Sequence, residues 1–173
     1  PNTQVCVFDF GDKTIVAETR GLKTEPYRTG FTGGWLFHGT EGSIAGNSLF
    51  DHDGKMVSTF TAKRKSENHF ANFISAVRSR KREELNAEIV EGHQSTALCH
   101  MGNISWRLGK PASVAEVREQ LGKLKVHENV QETLDRTLAH LKDNKVDVEQ
   151  TKLTLGVVLT PDGDRERFVD NDA

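Results

Sequence analysis

The sequence predicts a protein of the α+β class, with an open, mainly antiparallel sheet and helices packed on one face of it. Two observations lead to this prediction. The first sixty residues read as three consecutive hairpins, and the segment that follows carries apolar side chains at helical spacing. The C-terminal residues then return to strand character around the turn Pro161-Asp162-Gly163.

Each hairpin is marked by two strand-like runs on either side of a short turn. The turns are Gly11-Asp12-Lys13, Thr40-Glu41 and His52-Asp53-Gly54. In the first strand, "QVCVFDF", both alternate sets of residues are largely apolar. A strand with one solvated face would alternate apolar with polar residues, so we expect both faces of this strand to be covered.

Four segments carry the signs of amphipathic helices. They are ENHFANFISAVRSRK, EGHQSTALCHMGNISWRL, SVAEVREQLG and NVQETLDRTLAHLK. The apolar stripe of the first is Phe70, Phe73, Ile74 and Val77, and that of the second is Ala97, Met101, Ile104 and Leu108. Ser113 with Glu116 predicts a capping box at the third helix, and Asn129 with Glu132 has the same spacing at the fourth.

Length and composition predict one domain over residues 1–173. With 23 basic and 25 acidic residues, the chain has no global charge excess that would attract it to nucleic acid or to an anionic membrane. Cys6 and Cys99 are the only cysteines, which favours reduced thiols and a cytoplasmic setting, with a periplasmic one left open. No apolar run is long enough to span a bilayer. Because the chain begins at Pro1 without methionine, we expect it to be part of a longer protein.

The second helix combines two histidines with other polar side chains. His93 and His100 are seven residues apart, about 10 Å along a helix, which is too far for two ligands of one metal ion. They lie beside Asn103 and Arg107 and either line a cleft or hydrogen-bond to backbone carbonyls. Cys99 projects from the middle of the helix without a histidine one turn before it, so a nucleophilic role is not expected.

Two further segments carry exposed charge. The basic run "RSRKR", residues 78–82, ends a helix, where cations interact favourably with the helix dipole, and the alternative is a nucleic-acid contact. The loop of residues 20–34 is long for a compact domain. Its Arg20, Tyr27 and Arg28 either bind hydroxyl-rich or anionic groups or belong to a mobile polar loop.

Cofactor motifs are not found: the sequence has no GxGxxG after a strand, no GxxxxGK[ST] and no GxSxG. However, the runs "NTQVCVFDFGDKTIVAETRGLKTEPYR", "GTEGSI", "NHFANFISAVRSRKREELNAEIVEGHQSTALCHMGNISWRLG" and "LTPDGDRERFV" occur in this order along almost the whole chain. Together they resemble the C-terminal domain of bacterial Gfo/Idh/MocA oxidoreductases, the glucose-fructose oxidoreductase and inositol dehydrogenase family.

The resemblance implies a domain that binds substrate and forms oligomers. A separate Rossmann domain would bind NAD or NADP, the parent enzyme would transfer hydride to or from a sugar or cyclitol, and the sheet would face another subunit. The family's catalytic lysine, aspartate and histidine motifs are not found in this sequence. We therefore expect this chain alone to bind no cofactor or metal and to be inactive. From the resemblance and the sequence patterns together, we predict five sugar contacts: Arg20, Tyr27, Arg28, His69 and His93.

A second hypothesis keeps the fold but not the reaction. In it, the chain is a non-enzymatic binding or scaffold protein derived from the same domain. The sequence leaves open the sugar, the choice between NAD and NADP, the direction of the reaction and the oligomeric state.

Overall fold

The computed structural model describes residues 1–26, 33–61 and 68–169. They form helices and open antiparallel sheets, so the predicted α+β class is confirmed. The chain divides into two compact units. The first unit is formed by residues 1–23 and 89–173, and the second by residues 24–88. That the whole chain is one domain stays a prediction.

The first unit begins with a two-stranded antiparallel ribbon. β1 (Thr3–Asp9) pairs with β2 (Thr14–Arg20) along its whole length, with Cys6 opposite Ala17. The first six residues of β1 are all half-buried, consistent with its lack of alternation in the sequence. The turn of this hairpin is held by His127, whose ring bonds to the carbonyl of Gly11 at 3.0 Å.

Three of the helices in the described part of the first unit match predicted segments. They are α2 (Ile89–Leu108), α3 (Val114–Gly122) and α4 (Val130–Asp143). The predicted capping box is present at α3, where Ser113 and Glu116 each bond to the other's backbone N–H. At α4 only half of the motif forms: Asn129 accepts from the N–H of Glu132 at 3.1 Å. A one-turn helix, α5 (Val148–Thr151), was not predicted.

Two small antiparallel pairs complete the first unit. β7 (Lys110–Ala112) pairs with β8 (Leu153–Leu155), and β9 (Thr160–Asp162) with β10 (Arg167–Val169). The last turn lies at residues 163–166, two residues later than expected, because Pro161 and Asp162 still belong to β9. The core of the unit lies between α3, α4 and the β7–β8 pair. It contains Ala112, Val117 and Leu134, with Leu121, Leu138, Leu153 and Leu155 around them.

The packed face of the helix α2 includes Ala97 and Met101 of the predicted stripe, which are half-buried, but it turns toward Gly102 and away from Ile104 and Leu108. Its buried residue is Gly102, where an added Cβ would lie 2.6 Å from the Sγ of Cys6 on β1. One turn away, Ser105 donates a hydrogen bond to the carbonyl of Val157 at 2.7 Å. Ile104 and Leu108 were expected in the core but are exposed, because the close approach of β1 needs the glycine side of the helix.

The second unit is built around a four-stranded antiparallel sheet in the order β3-β4-β5-β6. The strands are β3 (Leu36–Gly39), β4 (Gly42–Ala45), β5 (Ser48–Phe50) and β6 (Met56–Thr59). The two hairpins predicted in this region are therefore confirmed. Across the described ranges, the strands form four separate open sheets and not the single sheet that the sequence suggested.

The helix α1 (His69–Ser79) also belongs to the second unit and is followed by a short 3-10 turn at Arg82–Glu84. Asn68 caps its N-terminus and accepts from the N–H of Phe70 at 2.9 Å. The buried side chain of α1 is polar: Asn72 donates to the carbonyl of Glu84 and accepts from the N–H of Asn86. No helix in the described ranges has the length and apolar character that a bilayer span requires.

Candidate functional site

Arg20, a predicted substrate contact, is part of an ion-pair network in the first unit. Its guanidinium donates to Oε2 of Glu18 at 2.6 Å, and Arg136 of α4 donates to Oε1 of the same carboxylate at 2.7 Å. Arg136 also binds Glu132 one turn away at 2.8 Å. Arg20 and Glu18 are each about one-fifth exposed, at 21% and 20%. The network joins β2 to α4, so Arg20 has a structural role whether or not it meets a ligand.

The charge of Glu18 is set by two opposing effects. Burial raises the pKa of this carboxyl because the charged form loses hydration. Hydrogen bonds from Arg136 and Arg20, together with their positive charges, outweigh burial and hold the pKa of Glu18 below its ordinary value. Glu18 is therefore ionised at neutral pH and can hold both guanidinium groups.

His93 lies near the N-terminal end of α2 and is bound to the β9–β10 turn. Its Nε2 is 2.8 Å from Oε1 of Glu166, and both side chains are mostly exposed. Glu166 has a φ of 53°, the left-handed region that few residues other than glycine adopt. A carboxylate that holds one ring nitrogen fixes the orientation of an imidazole and leaves the other nitrogen for a further partner. This geometry is compatible with a substrate contact.

The other predicted contacts are not brought together with these two. His69 is the first residue of α1 in the second unit, and its ring meets Phe70 edge to face at a centroid distance of 5.2 Å. Tyr27 and Arg28 lie outside the described residues. Arg20 and His93 share the first unit but have different partners, Glu18 and Glu166.

A groove of about 480 Å³ lies along α2. In the described part of the chain it is lined by His100, Asn103, Ile104, Trp106 and Arg107. For His93 and His100 the sequence left two readings open, a position in a cleft or hydrogen bonds to backbone carbonyls. Among the described residues, the side chains of His100, Asn103 and Arg107 form no hydrogen bond or ion pair, which favours the cleft for His100. Trp106 and Ile104 were not predicted as lining residues. The helical spacing of residues 100, 103 and 107, which places them on one face of α2, was the signal in the sequence that could have pointed to this surface.

The four-stranded sheet has one face formed by large apolar side chains. The register places Phe37 opposite Ile44 and Ile44 opposite Leu49, so these three residues share a face. Trp35 contacts Phe37 with a ring centroid distance of 5.0 Å, and Phe60 extends the same face beyond β6 by pairing with Asn47. The three aromatic side chains are each about half exposed or more, at 51%, 62% and 49% for Trp35, Phe37 and Phe60.

Cys6 and the basic run fit structural roles. Burial, and secondarily the neighbouring Cys99, raises the pKa of the Cys6 thiol, which disfavours a reactive thiolate. Within residues 78–82, Arg82 pairs with Glu88 at 2.8 Å and Lys81 with Glu84 at 3.5 Å. Two of the cations in this run are therefore neutralised locally, which favours the solvated helix end over a nucleic-acid contact.

The strands of the described residues do not form the parallel sheet of a Rossmann-type dinucleotide site. Every strand pair among them is antiparallel, whereas a dinucleotide binds at the carboxyl ends of parallel strands, on a glycine-rich turn before a helix. In the same part of the chain, no group of three or more His, Cys, Asp or Glu side chains is placed to hold a metal ion.

Comparison with known proteins adds no identity. No family model, curated protein or solved structure matches the chain. The resemblance to the Gfo/Idh/MocA family remains an expectation from the sequence.

Proposed function

We propose that the chain is the substrate-binding and oligomerisation domain of an NAD(P)-dependent oxidoreductase that acts on a sugar or cyclitol. The nucleotide would be supplied by another domain of the parent enzyme, in the cytoplasm. The order of sequence motifs supports the enzyme class. The observation that carries the proposal is the apolar face of the four-stranded sheet, where Trp35, Phe37 and Phe60 are exposed beside the half-buried Ile44 and Leu49.

A second copy of the chain is the occupant that this face fits. A two-fold interface brings the same surface patch of the two copies together, so a face of like charges would repel itself. The strand positions on this face, Phe37, Ile44, Leu49 and Ser58, are all uncharged. Aromatic residues are also enriched at the centres of protein interfaces. The half-exposed rings of Trp35, Phe37 and Phe60 would form that centre.

The size of the face agrees with an interface centre. An aromatic side chain buries roughly 150–250 Å² when fully covered, so three half-exposed rings offer on the order of 300 Å². A standard interface buries about 800 Å² on each partner. The rings therefore account for a substantial apolar fraction of such an interface, with polar residues around them.

Substrate contact is assigned to His93, with Arg20, Tyr27, Arg28 and His69 as further candidates. His93 pairs with Glu166 through one ring nitrogen and is mostly exposed, so it is accessible to a ligand. Its imidazole would hydrogen-bond to a sugar hydroxyl. Arg20 is the weaker candidate because Glu18 already engages its guanidinium.

Oligomeric state tests the first half of the proposal. The chain should sediment as a dimer or larger species, and Phe37→Glu should shift it to the monomer because it places a charge in the apolar face. His38→Glu is the matched control, since His38 is the next residue on the same strand, is exposed, and lies on the opposite face. A monomeric wild type, or equal behaviour of the two variants, would remove the sheet face from the proposal.

Enzyme assays test the second half. In the parent enzyme, His93→Ala should raise KM for the sugar with NAD or NADP saturating, and unchanged kinetics would remove His93 from the site. The alternative function is a non-enzymatic scaffold, which the same sheet face also favours. A native mass of 19.3 kDa per subunit in the source, without hydride transfer, would establish the scaffold instead.

A further inference from the structure

The groove along α2 is used neither by the packing of the first unit nor by the proposed function. We propose that it binds a small aromatic monocarboxylate, with Arg107 holding the carboxylate and Trp106 stacking against the ring. This site shares no residue with the proposed sugar contacts or with the sheet face. The inference stands on the groove alone and does not depend on the proposed oxidoreductase.

The groove lies on the side of α2 that faces away from its packing partners. Gly102 and Ser105 contact β1 and residue 157 on the packed side. At 3.6 residues per turn, His100, Asn103 and Arg107 fall within about 60° of each other on the opposite side. These three residues form a polar strip that is exposed along its whole length.

Two apolar side chains flank the polar strip. Around the helix axis, Trp106 lies beyond Asn103 on one flank, and Ile104 lies beyond His100 on the other. Both are partly exposed, at 38% and 37%. A partly exposed indole next to a cation is a platform for a planar ring, since aromatic rings stack with an offset and add stabilisation to the area that they bury.

Arg107 supplies the charge. Among the described residues it forms no hydrogen bond or ion pair, in contrast to Arg82, Arg118 and Arg136, which are all bound to carboxylates. A guanidinium binds a carboxylate through two parallel hydrogen bonds, which are stronger than bonds between neutral groups. The amide of Asn103 lies one turn before Arg107 and can donate to the same carboxylate or to a ring substituent.

The combination selects the class of ligand. One cation between two apolar flanks matches a ligand with one negative charge and an apolar ring. Inorganic phosphate would leave the indole and Ile104 uncovered, and a neutral ring would leave Arg107 without a partner. The volume of about 480 Å³ lies within the usual range of small-molecule sites.

The chain offers a direct optical test, because it contains only two tryptophans. In the Trp35→Phe variant, Trp106 is the only indole, so its fluorescence reports on the groove. Three probes separate the contributions: benzoate carries ring and charge, benzyl alcohol carries the ring, and acetate carries the charge. Benzoate should give a saturating change in fluorescence, with an apparent affinity about tenfold or more above that of either other probe, a difference of about 1.4 kcal/mol.

Arg107→Met in the Trp35→Phe background tests the cation. It should weaken benzoate binding about tenfold and leave the weaker response to benzyl alcohol unchanged. Arg78→Met is the matched control, because Arg78 is also an exposed arginine in the last turn of a helix. The Arg78→Met variant should bind benzoate with the same affinity as the Trp35→Phe variant without it.

Three results would overturn the inference. They are no saturable response to benzoate, equal affinity for benzoate and benzyl alcohol, or equal loss in the Arg107 and Arg78 variants. If Trp35→Phe does not fold, saturation-transfer NMR of benzoate with the unmodified chain and with Arg107→Met gives the same comparison. Neither sugar nor nucleotide is present in these measurements, so their outcome is separate from that of the proposed function.

Discussion

The helices α1 and α4 have similar sequence patterns and different surroundings. Both begin at an asparagine cap and carry apolar residues at helical spacing. In α4 the apolar face is covered: Leu134 is 6% exposed and packs with residues of α3 and β8. In α1 the apolar face is open to solvent, and Phe70 is 74% exposed. Phe73, Ile74 and Val77 are also among the exposed apolar residues.

The difference shows what holds each helix in place. The covered helix α4 is tied to its unit by apolar burial and by the pair of Arg136 with Glu18. The uncovered helix α1 is held by its polar side, where Asn72 bonds to the backbone of Glu84 and Asn86. Periodicity therefore predicts which residues share a face but not whether the chain provides anything to cover it.

Truncation of the covered face should have the largest effect. Leu134→Ala should lower the free energy of unfolding by about 3 kcal/mol, because it removes a buried side chain and leaves a cavity. Phe70→Ala on α1 should change it by less than about 0.5 kcal/mol at low protein concentration. Urea denaturation of both variants measures the contrast. A large loss for Phe70→Ala would mean that the α1 face is covered in solution.

Removal of the charge that ties β2 to α4 should have the next largest effect. Glu18→Gln should cost about 2 kcal/mol at pH 7, between the values for exposed and buried ion pairs. Since the pKa of Glu18 is lower in the folded state, its contribution is present above the unfolded pKa of about 4.3 and is lost as the pH falls through the folded pKa.

The pH dependence of stability checks this assignment. The difference between wild type and Glu18→Gln should shrink as the pH is lowered below about 4. Glu132→Gln is the control because Glu132 binds the same Arg136 but is 60% exposed. It should cost less than about 1 kcal/mol. A difference between wild type and Glu18→Gln that is constant from pH 7 to pH 3 would contradict the role given to the Glu18 charge.

Two glycines of α2 extend the comparison of covered and uncovered faces to one helix. Gly102→Ala should destabilise the chain by about 1 kcal/mol, because its Cβ would meet the Sγ of Cys6 at 2.6 Å and force the Cys6 side chain or β1 to shift. Gly92→Ala should instead stabilise it by about 0.5–1 kcal/mol, since nothing lies within 4 Å and alanine favours a helix. Thermal unfolding of both variants shows whether the signs are opposite, and a stabilising Gly102→Ala would place β1 farther from α2.

The smallest effect is expected for an exposed pair on α2. His93→Ala should change the free energy of unfolding by less than about 0.5 kcal/mol, because its contact with Glu166 is largely solvated. Chemical denaturation measures this directly. A loss above about 1.5 kcal/mol would show that the pair holds the β9–β10 turn in place, and the substrate assay of His93→Ala would then need correction for stability.

Much of the local structure was predictable because its causes are local. The three N-terminal hairpins are marked by turn residues between strand-like runs, and the caps of α3 and α4 by side chains three residues apart. The strand β7 was missed because "KPA" is short and contains proline. It forms a strand only because β8, about forty residues further along the chain, pairs with it. Such long-range pairing leaves no local pattern.

The candidate sites were predicted less well. His93 was correctly placed near the start of a helix, but its partner Glu166 lies seventy-three residues away and was not anticipated. Arg20 was considered for ligand binding from its position in a loop, whereas the structure places it at the end of β2 beside Glu18. Trp106 became visible as a lining residue only when the packed side of α2 was known.

By itself, the sequence determined the α+β class, the hairpins, the capped helices and which residues share each helix face. These features depend on contacts within a few residues. The tertiary structure decided which of those faces are covered. Gly102 rather than Ile104 meets β1, the aromatic face of the β3–β6 sheet stays open, and Arg107 faces the groove. The physical reason is that burial depends on which distant segments approach, and a periodic pattern is the same whether or not they do.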